Sequence, residues 1–300
     1  MVVRLLGSAA GGGVPQWNCG CRQCAGARSG LIEKRTQCGL AVSVDGRRWI
    51  LINASPDLRS QLLCLPAQPQ SDRRETPIEA VLLTDADLDH ILGLFLLRES
   101  NSEVSIHASK AIRKAVEEGL RLTEVLDQYC GIRWIEAPLE FAPLFCRDGS
   151  DSGLEYRGIE IQGLSPRYRG GGQNCPRTIY VLRELNTVKS VLIAPGVATL
   201  EPKLMAELNQ ADSVFFDGTF WSSDDFQKSG VADPSAGELV RSHLPISMGS
   251  LKTLAGIPAK QKVYLHINNT NPILWNDSPE RRQLDEFGIQ VAADGMEFDL

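Results

Sequence analysis

The chain has 300 residues, of which 43% are hydrophobic and 23% are charged, and its formal net charge is −6. This composition is typical of a globular protein with a full hydrophobic core. No basic block or aromatic–basic stripe occurs, so nucleic acid is excluded as an expected partner, because phosphate binding needs a concentrated positive face. No stretch approaches the ~18 apolar residues of a membrane span, and the N-terminal apolar run is too short for a signal peptide. We therefore expect a cytoplasmic protein that makes no membrane contact.

The first half of the chain predicts short strands and helices. A strand is predicted at Val2–Leu6, and the Asp45-Gly46 turn predicts a type I′ hairpin between Leu40–Val44 and Arg47–Asn53. Proline and acidic residues at helix starts, together with apolar runs, predict the elements that follow. These are helices at 56–65, from Asp89 onward and at 109–120, strands at 78–83 and 104–107, and a surface loop at 66–77.

The second half predicts strands at 158–164, 178–183, 190–194, 213–216 and 262–266, with helices near 199–209 and 247–254. The order strand, strand, helix recurs in both halves. It indicates an α/β protein with two sheets and helices outside them, rather than one alternating parallel sheet. No repeat or linker divides the chain, so we expect a single domain over residues 1–300.

Three of the eight cysteines, Cys19, Cys21 and Cys24, fall within six residues. In a chain without an export signal, such clustering indicates metal binding or catalysis rather than disulfides. Thiolates at this spacing on an irregular loop can converge on one tetrahedral ion, usually zinc, and a fourth protein ligand would make the site structural. His266 is one candidate for that ligand. The alternative is a set of three buried thiols.

Polar residues follow several predicted element ends, where clefts form. Asp89 and His90 follow the strand at 78–83, Asp217 follows the strand at 213–216, His266 ends another strand, and His243 follows a predicted helix. Polar side chains gathered at one edge of a sheet are candidates for a functional site. Simpler readings exist, because Asp is a favoured helix N-cap, Asp217 can form a turn, and a helix-end histidine can be structural. For His107 we expect a structural role.

The segment Leu83–Gly93 resembles the HxHxDH signature of the metallo-β-lactamase superfamily, with Asp85 and Asp87 in the places of the first two histidines. The motifs GSAAGGGVPQWNCGCRQC, NASPD, APG, DGTFW, HINNTNP and ADGMEF extend the likeness over nearly all 300 residues. They resemble the PqqB family, the B proteins of pyrroloquinoline quinone (PQQ) biosynthesis. The resemblance implies an αββα sandwich with a metal site at one edge of its two sheets.

The resemblance also implies one catalytic ion. The histidines of one half-site are replaced by Asp85, Asp87 and the segment around Ser165. The other half-site would comprise the candidate ligands Asp89, His90, Asp217 and either His266 or His243. A hydrolase of this superfamily uses two ions to activate water, so hydrolysis is disfavoured. Two histidines with carboxylates match non-haem Fe(II) oxygenases, although Mn and Zn accept overlapping ligand sets.

Members of this family are regarded as iron-dependent hydroxylases of a tyrosine-derived ring in a Glu–Tyr cross-linked precursor. The resemblance thus implies an oxidoreductase with Asp89, His90, Asp217 and His243 as catalytic residues, and a PQQ precursor as its small-molecule partner. The alternative is a soluble carrier for transport of PQQ or its precursor toward the periplasm. Arg167, Arg169 and Arg177 are candidate contacts for the precursor's carboxylates, although a solvated loop explains them equally well. A homodimer is compatible with the sequence.

Overall fold

A computed structural model of the chain describes residues 1–66, 75–232 and 236–300. Most of the predicted loop at 66–77 therefore lies outside the described residues. The strands, in chain order, are β1 Val2–Gly7, β2 Gly39–Ser43, β3 Trp49–Ile52, β4 Ile78–Leu82, β5 Val104–Ala108, β6 Ile132–Glu136, β7 Ala142–Phe145, β8 Asp151–Ile161, β9 Arg177–Glu184, β10 Ser190–Ala194, β11 Ser213–Asp217, β12 Gln261–Leu265, β13 Gln290–Val291 and β14 Glu297–Asp299.

The helices are short, and some continue as 3-10 turns. The α-helices are α1 Arg22–Arg28, α2 Leu58–Leu63, α3 Leu88–Ile91, α4 Lys110–Leu120, α5 Leu122–Leu126, α6 Pro202–Leu208, α7 Asp225–Ser229, α8 Ala236–Ser242, α9 Ser250–Gly256 and α10 Pro279–Glu286. The 3-10 segments are Leu92–Glu99, Arg167–Arg169, Ile246–Met248 and Pro272–Leu274. Within the described part of the chain, no helix has the length and apolar character needed to cross a bilayer.

The described residues divide into two compact units, each assembled from separate stretches of chain. The first unit comprises Met1–Leu6, Gly39–Ser190 and Gly295–Leu300, and the second comprises Gly7–Cys38 and Val191–Asp294. The single domain expected from the sequence stays a prediction.

The first unit contains a seven-stranded mixed sheet of order β14-β1-β2-β3-β4-β5-β6 and an antiparallel set β7-β8-β9. Strands β3 to β6 run parallel. Every residue of β3 and β4 is buried, as is typical of parallel strands, and all of them except Glu79 are apolar. The core includes Trp49, Leu51, Val81 and Ile106. At its carboxyl end, β4 leads directly into the Asp- and His-bearing segment 84–90.

The second unit contains the parallel strands β10, β11, β12 and β13 in that order, with helices between them in sequence. The strand pairing aligns Asp217 at the end of β11 with Leu265 at the end of β12. Because the carboxyl ends of parallel strands share one edge, Asp217 and the residue after Leu265, His266, are brought together.

Most predicted elements are confirmed, with some differences at their ends. The predicted hairpin is confirmed, since Leu40 pairs with Ile52. A type I′ turn requires positive φ at both of its central residues, but Gly46 has positive φ (70°) and Asp45 does not. The predicted turn type was therefore wrong. Instead, one carboxylate oxygen of Asp45 accepts the backbone N–H groups of Arg47 and Arg48, each at 2.8 Å. The side chain of Asp45 therefore organises this turn.

Gly93 packs directly against the backbone beside β3. Its N–H donates to the carbonyl of Ala54 at 2.8 Å, and the N–H of Ala54 donates to the carbonyl of His90 at 2.7 Å. A Cβ at position 93 would collide with the carbonyl of Ser55 and lie 2.8 Å from the carbonyl oxygen of Ala54. The segment carrying His90 is thus docked by backbone contacts that only glycine permits.

We expect Gly93→Ala to destabilise the protein by about 1–3 kcal/mol, because the backbone must move to admit the methyl group. Thermal unfolding followed by circular dichroism measures the change. Gly256→Ala is the control, since a Cβ there meets nothing within 4 Å. Equal melting temperatures for the two variants would contradict the expected collision at position 93.

Candidate metal centres

The second unit contains a buried cluster of one carboxylate and two imidazoles. The potential ligand atoms of Asp217, His243 and His266 all lie within 4.8 Å of one another. Asp217 is inaccessible to solvent, and the two histidines are 4% and 5% exposed. The imidazole rings stack with centroids 5.3 Å apart. A buried set of this composition matches what divalent transition metals bind.

Asp217 and Thr219 fix the orientation of both imidazoles. His243 Nδ1 donates to Asp217 Oδ2 at 2.7 Å. Thr219 Oγ1 lies 2.6 Å from Asp217 Oδ1 and 2.8 Å from His266 Nδ1, so the hydroxyl donates to the carboxylate and accepts from the ring. When a neutral imidazole carries its proton on Nδ1, Nε2 carries the lone pair that metal ligation uses.

The Asp217 carboxylate accepts four hydrogen bonds. They come from the backbone N–H groups of Val197 and Thr219, from the Thr219 hydroxyl and from His243. Although burial opposes ionisation, the charge and hydrogen bond of His243 and the Thr219 hydroxyl hold the pKa of Asp217 below its usual value. Because these bonds occupy all four acceptor positions of the carboxylate, Asp217 anchors the histidines.

The backbone around this cluster is constrained. His266 has φ 56°, in the left-handed region that costs a non-glycine residue about 1 kcal/mol or more. Gly218 lies between Asp217 and Thr219, and a Cβ there would lie 2.8 Å from the Cβ of Tyr264. The N–H of Gly218 donates to the carbonyl of Leu265 at 2.7 Å. The close approach of these two segments is what brings His266 to Thr219.

In the first unit, Asp85 holds His90. His90 Nδ1 lies 2.8 Å from each carboxylate oxygen of Asp85. Asp85 also accepts the backbone N–H of Asp87 at 2.9 Å and the hydroxyl of Thr84 at 3.0 Å. A carboxylate on Nδ1 leaves Nε2 as the ring nitrogen suited to a metal, and Asp89 Oδ2 lies 3.8 Å from that nitrogen.

The charges around His90 outweigh its burial. Burial alone lowers the pKa of a histidine, but the carboxylates of Asp85 and Asp89 raise the pKa of His90 to about 9. Burial likewise opposes ionisation of Asp85, yet the charge and hydrogen bond of His90 lower its pKa. The predicted N-cap role falls to Asp87, since Asp89 lies within the first turn of α3. This segment therefore suits a positive ion.

Two of the three arginines expected to contact substrate pair with carboxylates of the chain itself. Arg177, whose side chain is 6% exposed, lies 3.1 Å from Asp87 Oδ2. Arg169 pairs with Glu118 of α4. Arg167 is exposed in its 3-10 turn. Substrate contact by these three residues stays a prediction, and Arg167 is the most exposed of the three.

The three clustered cysteines converge in the second unit. The sulfur atoms of Cys19, Cys21 and Cys24 lie within 4.8 Å of one another. Cys21 caps α1, and its sulfur accepts the N–H of Cys24 at 3.4 Å, while Cys24 accepts the N–H of Gln16 at 3.3 Å. Burial, together with the neighbouring thiols, raises the pKa of Cys21 to about 12. A cation among the sulfurs would reverse that effect and deprotonate the thiols.

Asn269 caps this cluster. Its amide nitrogen lies 3.2, 3.7 and 3.3 Å from the sulfurs of Cys19, Cys21 and Cys24 respectively. Amide nitrogen and oxygen are nearly equivalent in shape, so a 180° rotation places Oδ1 at the same point. A tetrahedral zinc with three thiolates and one oxygen requires sulfur–oxygen separations of about 3.6 Å. Asn269 therefore meets the geometric requirement for a fourth ligand, while His266 lies beside Thr219.

The sequence did not identify Asn269, Thr219 or the role of Asp85. Asn269 belongs to the polar run that follows β12, and Thr219 lies two residues after Asp217, so proximity to a strand end was the available signal. Such positions are equally common in turns. Asparagine and threonine are not frequent metal ligands, so the sequence alone gave no reason to select Asn269 or Thr219.

Comparison with known proteins identifies the superfamily and the relatives of this chain. A family model described as "Beta-lactamase superfamily domain" matches residues 48–267. The coenzyme PQQ synthesis protein B of Methylococcus capsulatus is 39% identical over 308 residues, which cover 100% of both chains. The protein of the same name from Cupriavidus necator is 40% identical, with 99% of each chain covered.

Solved structures agree with the sequence relatives. The Zn²⁺-bound PqqB of Methylobacterium extorquens superposes with a TM-score of 0.88 at 34% identity, covering 100% of both chains. A diphosphatase of the PhnP family has a TM-score of 0.70 at 21% identity, and this likeness concerns the fold alone. The metallo-β-lactamase fold expected from the sequence is thereby confirmed. The chain belongs to the PqqB family, the coenzyme PQQ synthesis B proteins, within the metallo-β-lactamase superfamily.

Proposed function

We propose that this protein acts in PQQ synthesis as a mononuclear metal-dependent oxygenase that hydroxylates a tyrosine-derived, Glu–Tyr cross-linked precursor. The observation that carries the proposal is the buried cluster in which Asp217 and Thr219 orient His243 and His266. The names of the relatives supply the pathway, and the donor set supplies the class of chemistry. Two imidazoles with nearby carboxylates suit Fe(II), which leaves open positions for substrate and O₂.

The residues fit such an ion. Imidazoles held at Nδ1 present Nε2, and a buried carboxylate such as Asp217 needs compensating positive charge. We propose His243 and His266 as metal ligands, with Asp217 positioning both. The HxHxDH-like motif of the sequence implies Asp89 and His90 as further ligands, and we keep these two as a prediction from the sequence, with Asp85 positioning His90. When bound, Fe(II) supplies the activation of O₂.

The overall reaction balances with an external reductant. One oxygen atom of O₂ enters an aromatic C–H bond to form a phenol, and the other leaves as water. That reduction takes two electrons and two protons from a small two-electron reductant of the ascorbate class. The chain's own residues hold the ligands in one tautomer and exclude solvent from the buried histidines. Arg167 is proposed to donate hydrogen bonds to a carboxylate of the precursor.

The first unit supports one ion rather than two. Asp85 and Asp87 stand where a hydrolytic signature has histidines, and both are already engaged. Asp85 is bound to His90, and Asp87 pairs with the buried guanidinium of Arg177. The Arg177 cation supplies positive charge where a second metal ion would supply it. Two-metal activation of water is therefore disfavoured.

We further propose a structural zinc ligated by Cys19, Cys21, Cys24 and Oδ1 of Asn269. Four protein ligands close the site, so the ion stabilises the fold and takes no part in catalysis. This assignment removes His266 from the zinc and leaves it for the catalytic ion.

The oxygenase is tested with anaerobically purified protein reconstituted with Fe(II) and ascorbate, with and without the precursor. We expect O₂ uptake that depends on both iron and precursor.

We expect His266→Ala and Asp89→Ala to lower O₂ uptake by at least about 100-fold, because losing a ligand weakens metal binding more than losing its supporting hydrogen bond. Asp225→Asn is the control, since this buried carboxylate bonds to Trp221 and Ser222 instead. Iron binding without O₂ uptake, together with saturable PQQ binding, would contradict the oxygenase and support the carrier.

The positioning role of Asp85 gives a separate expectation. Asp85→Asn removes the negative charge that fixes the His90 ring, so Fe(II) affinity is expected to fall about 10–100-fold while the fold is retained. Equilibrium dialysis measures the affinity, and Asp45→Asn, in an exposed turn of the same unit, is the matched control. Unchanged affinity in Asp85→Asn would show that His90 does not depend on this carboxylate for metal binding.

The zinc site is tested by exchanging its oxygen donor. Asn269→Asp retains an oxygen ligand and is expected to keep about one equivalent of zinc. Asn269→Leu has no donor and is expected to lose zinc and to melt at a lower temperature, because the binding energy of a structural ion contributes to folding. Metal analysis and calorimetry measure both effects. Equal zinc content in the two variants would exclude Asn269 as the fourth ligand.

A further inference from the structure

A separate cavity of about 520 Å³ opens in the first unit. Residues from β5, β6, β7 and β8 and from the turn after β7 line it. It includes none of the residues proposed above as metal ligands. Its polar groups include His107, Arg133 and Tyr156, and much of the remaining lining is apolar. This combination is typical of a small-molecule site, where an apolar wall surrounds a few directed polar groups.

His107 is the buried polar residue of this cavity. It is 4% exposed, and its Nδ1 lies 2.5 Å from the hydroxyl oxygen of Tyr156. Within the described residues, His107 Nε2 is buried and has no hydrogen-bond partner. A buried polar atom without a hydrogen bond lowers the stability of the fold by about 1–3 kcal/mol, so a ligand or solvent partner at His107 Nε2 would be stabilising.

The tautomer of His107 follows from its neighbours. Burial and the nearby charge of Arg133 lower the pKa of His107 to about 4, so the ring is neutral near pH 7. Burial raises the pKa of Tyr156, so its hydroxyl stays protonated. If Tyr156 donates to Nδ1, both groups are satisfied at that contact and Nε2 carries the remaining proton. His107 then offers a hydrogen-bond donor.

Arg133 adds positive charge at the same cavity. One of its nitrogen atoms donates to the hydroxyl of Ser105 at 2.8 Å. The nearest paired carboxylate, Glu103, lies 3.9 Å away and both side chains are about half exposed, so this ion pair neutralises little of the charge. Glu136 also lines the cavity, but its carboxylate pairs with Lys110 at 3.3 Å. Arg147 also lines the cavity, but its guanidinium bonds to Ser102 and to the carbonyl of Thr76 and pairs with Glu79. Arg133 and His107 therefore keep donors for a ligand.

Part of the cavity lining is apolar. Pro138, Pro143 and Ile135 contribute to the lining, and Phe145 is 55% exposed there. An exposed aromatic ring beside prolines offers a surface against which a flat apolar group can pack.

We propose that this cavity binds a small aryl carboxylate. The carboxylate accepts hydrogen bonds from the guanidinium of Arg133 and from Nε2 of His107, and the aromatic ring packs against Phe145 and the prolines. The bound anion would satisfy the one buried donor of His107 and pair with the half-exposed charge of Arg133. This site is independent of the proposed oxygenase.

Nuclear magnetic resonance of histidine side chains tests the proposal, because the chain has four histidines and their signals are few. Phenylacetate is the probe, added to full-length protein carrying ¹⁵N-labelled histidine. We expect saturable shifts of the His107 Nε2 signal with a Kd on the order of 1 mM. His107→Gln assigns the signal.

Variants and analogues decide which interactions hold the probe. Arg133→Gln is expected to weaken phenylacetate binding roughly tenfold, whereas Arg98→Gln is expected to leave it unchanged. Arg98 is the matched control, since its side chain is 46% exposed and also pairs with a glutamate. The neutral analogue 2-phenylethanol is expected to bind at least tenfold more weakly than phenylacetate. No saturable shift of His107, or equal binding of the two probes, would overturn the proposal.

Discussion

A carboxylate can be buried at low cost only when its charge and its acceptor positions are matched, and this constraint governs the candidate metal ligands of each unit. Asp217 is fully buried and accepts four hydrogen bonds, one of them from His243. Asp85 is nearly buried and holds His90 through both oxygens. Each carboxylate would be destabilising alone, because desolvation of an unpaired charge costs several kcal/mol. Paired with an imidazole, it becomes the support that fixes the tautomer and the direction of the ring.

The architecture brings these groups to strand ends. Asp217 is the last residue of β11, His266 follows the adjacent parallel strand β12, and Asp85 follows β4. The backbone at these ends is unusual, since His266 adopts a left-handed conformation and Gly218 permits contact with Tyr264. Such strain persists only where surrounding contacts enforce it. Here the enforcing contacts are the hydrogen bond of Gly218 to Leu265 and the threonine bridge to His266.

Elements with strong periodic signals were predictable from the sequence, and weakly patterned elements were not. The apolar runs at β1, β4, β10 and β11 are buried throughout or nearly so, and their prediction is confirmed. The sequence missed β6 and β7, whose residues are mostly half-exposed or exposed. β7 also contains Pro143 and pairs only with β8 among the described strands, and proline is tolerated at such an edge. A strand that is buried on only one face gives a weaker hydrophobic signal in the sequence than a strand that is buried on both faces.

The sequence by itself determined the family, the cysteine cluster and the residue types of the candidate metal site. These features depend on local spacing and on motifs, which are written directly in the order of residues. Only the tertiary structure decided that His266 lies with His243 and Thr219, and that Asn269 lies at the cysteines. Although these two residues are three positions apart, a left-handed turn after β12 sends them to different clusters. The sequence could not distinguish them, because the direction of a side chain after a strand end depends on the backbone conformation and on contacts with residues distant in the chain.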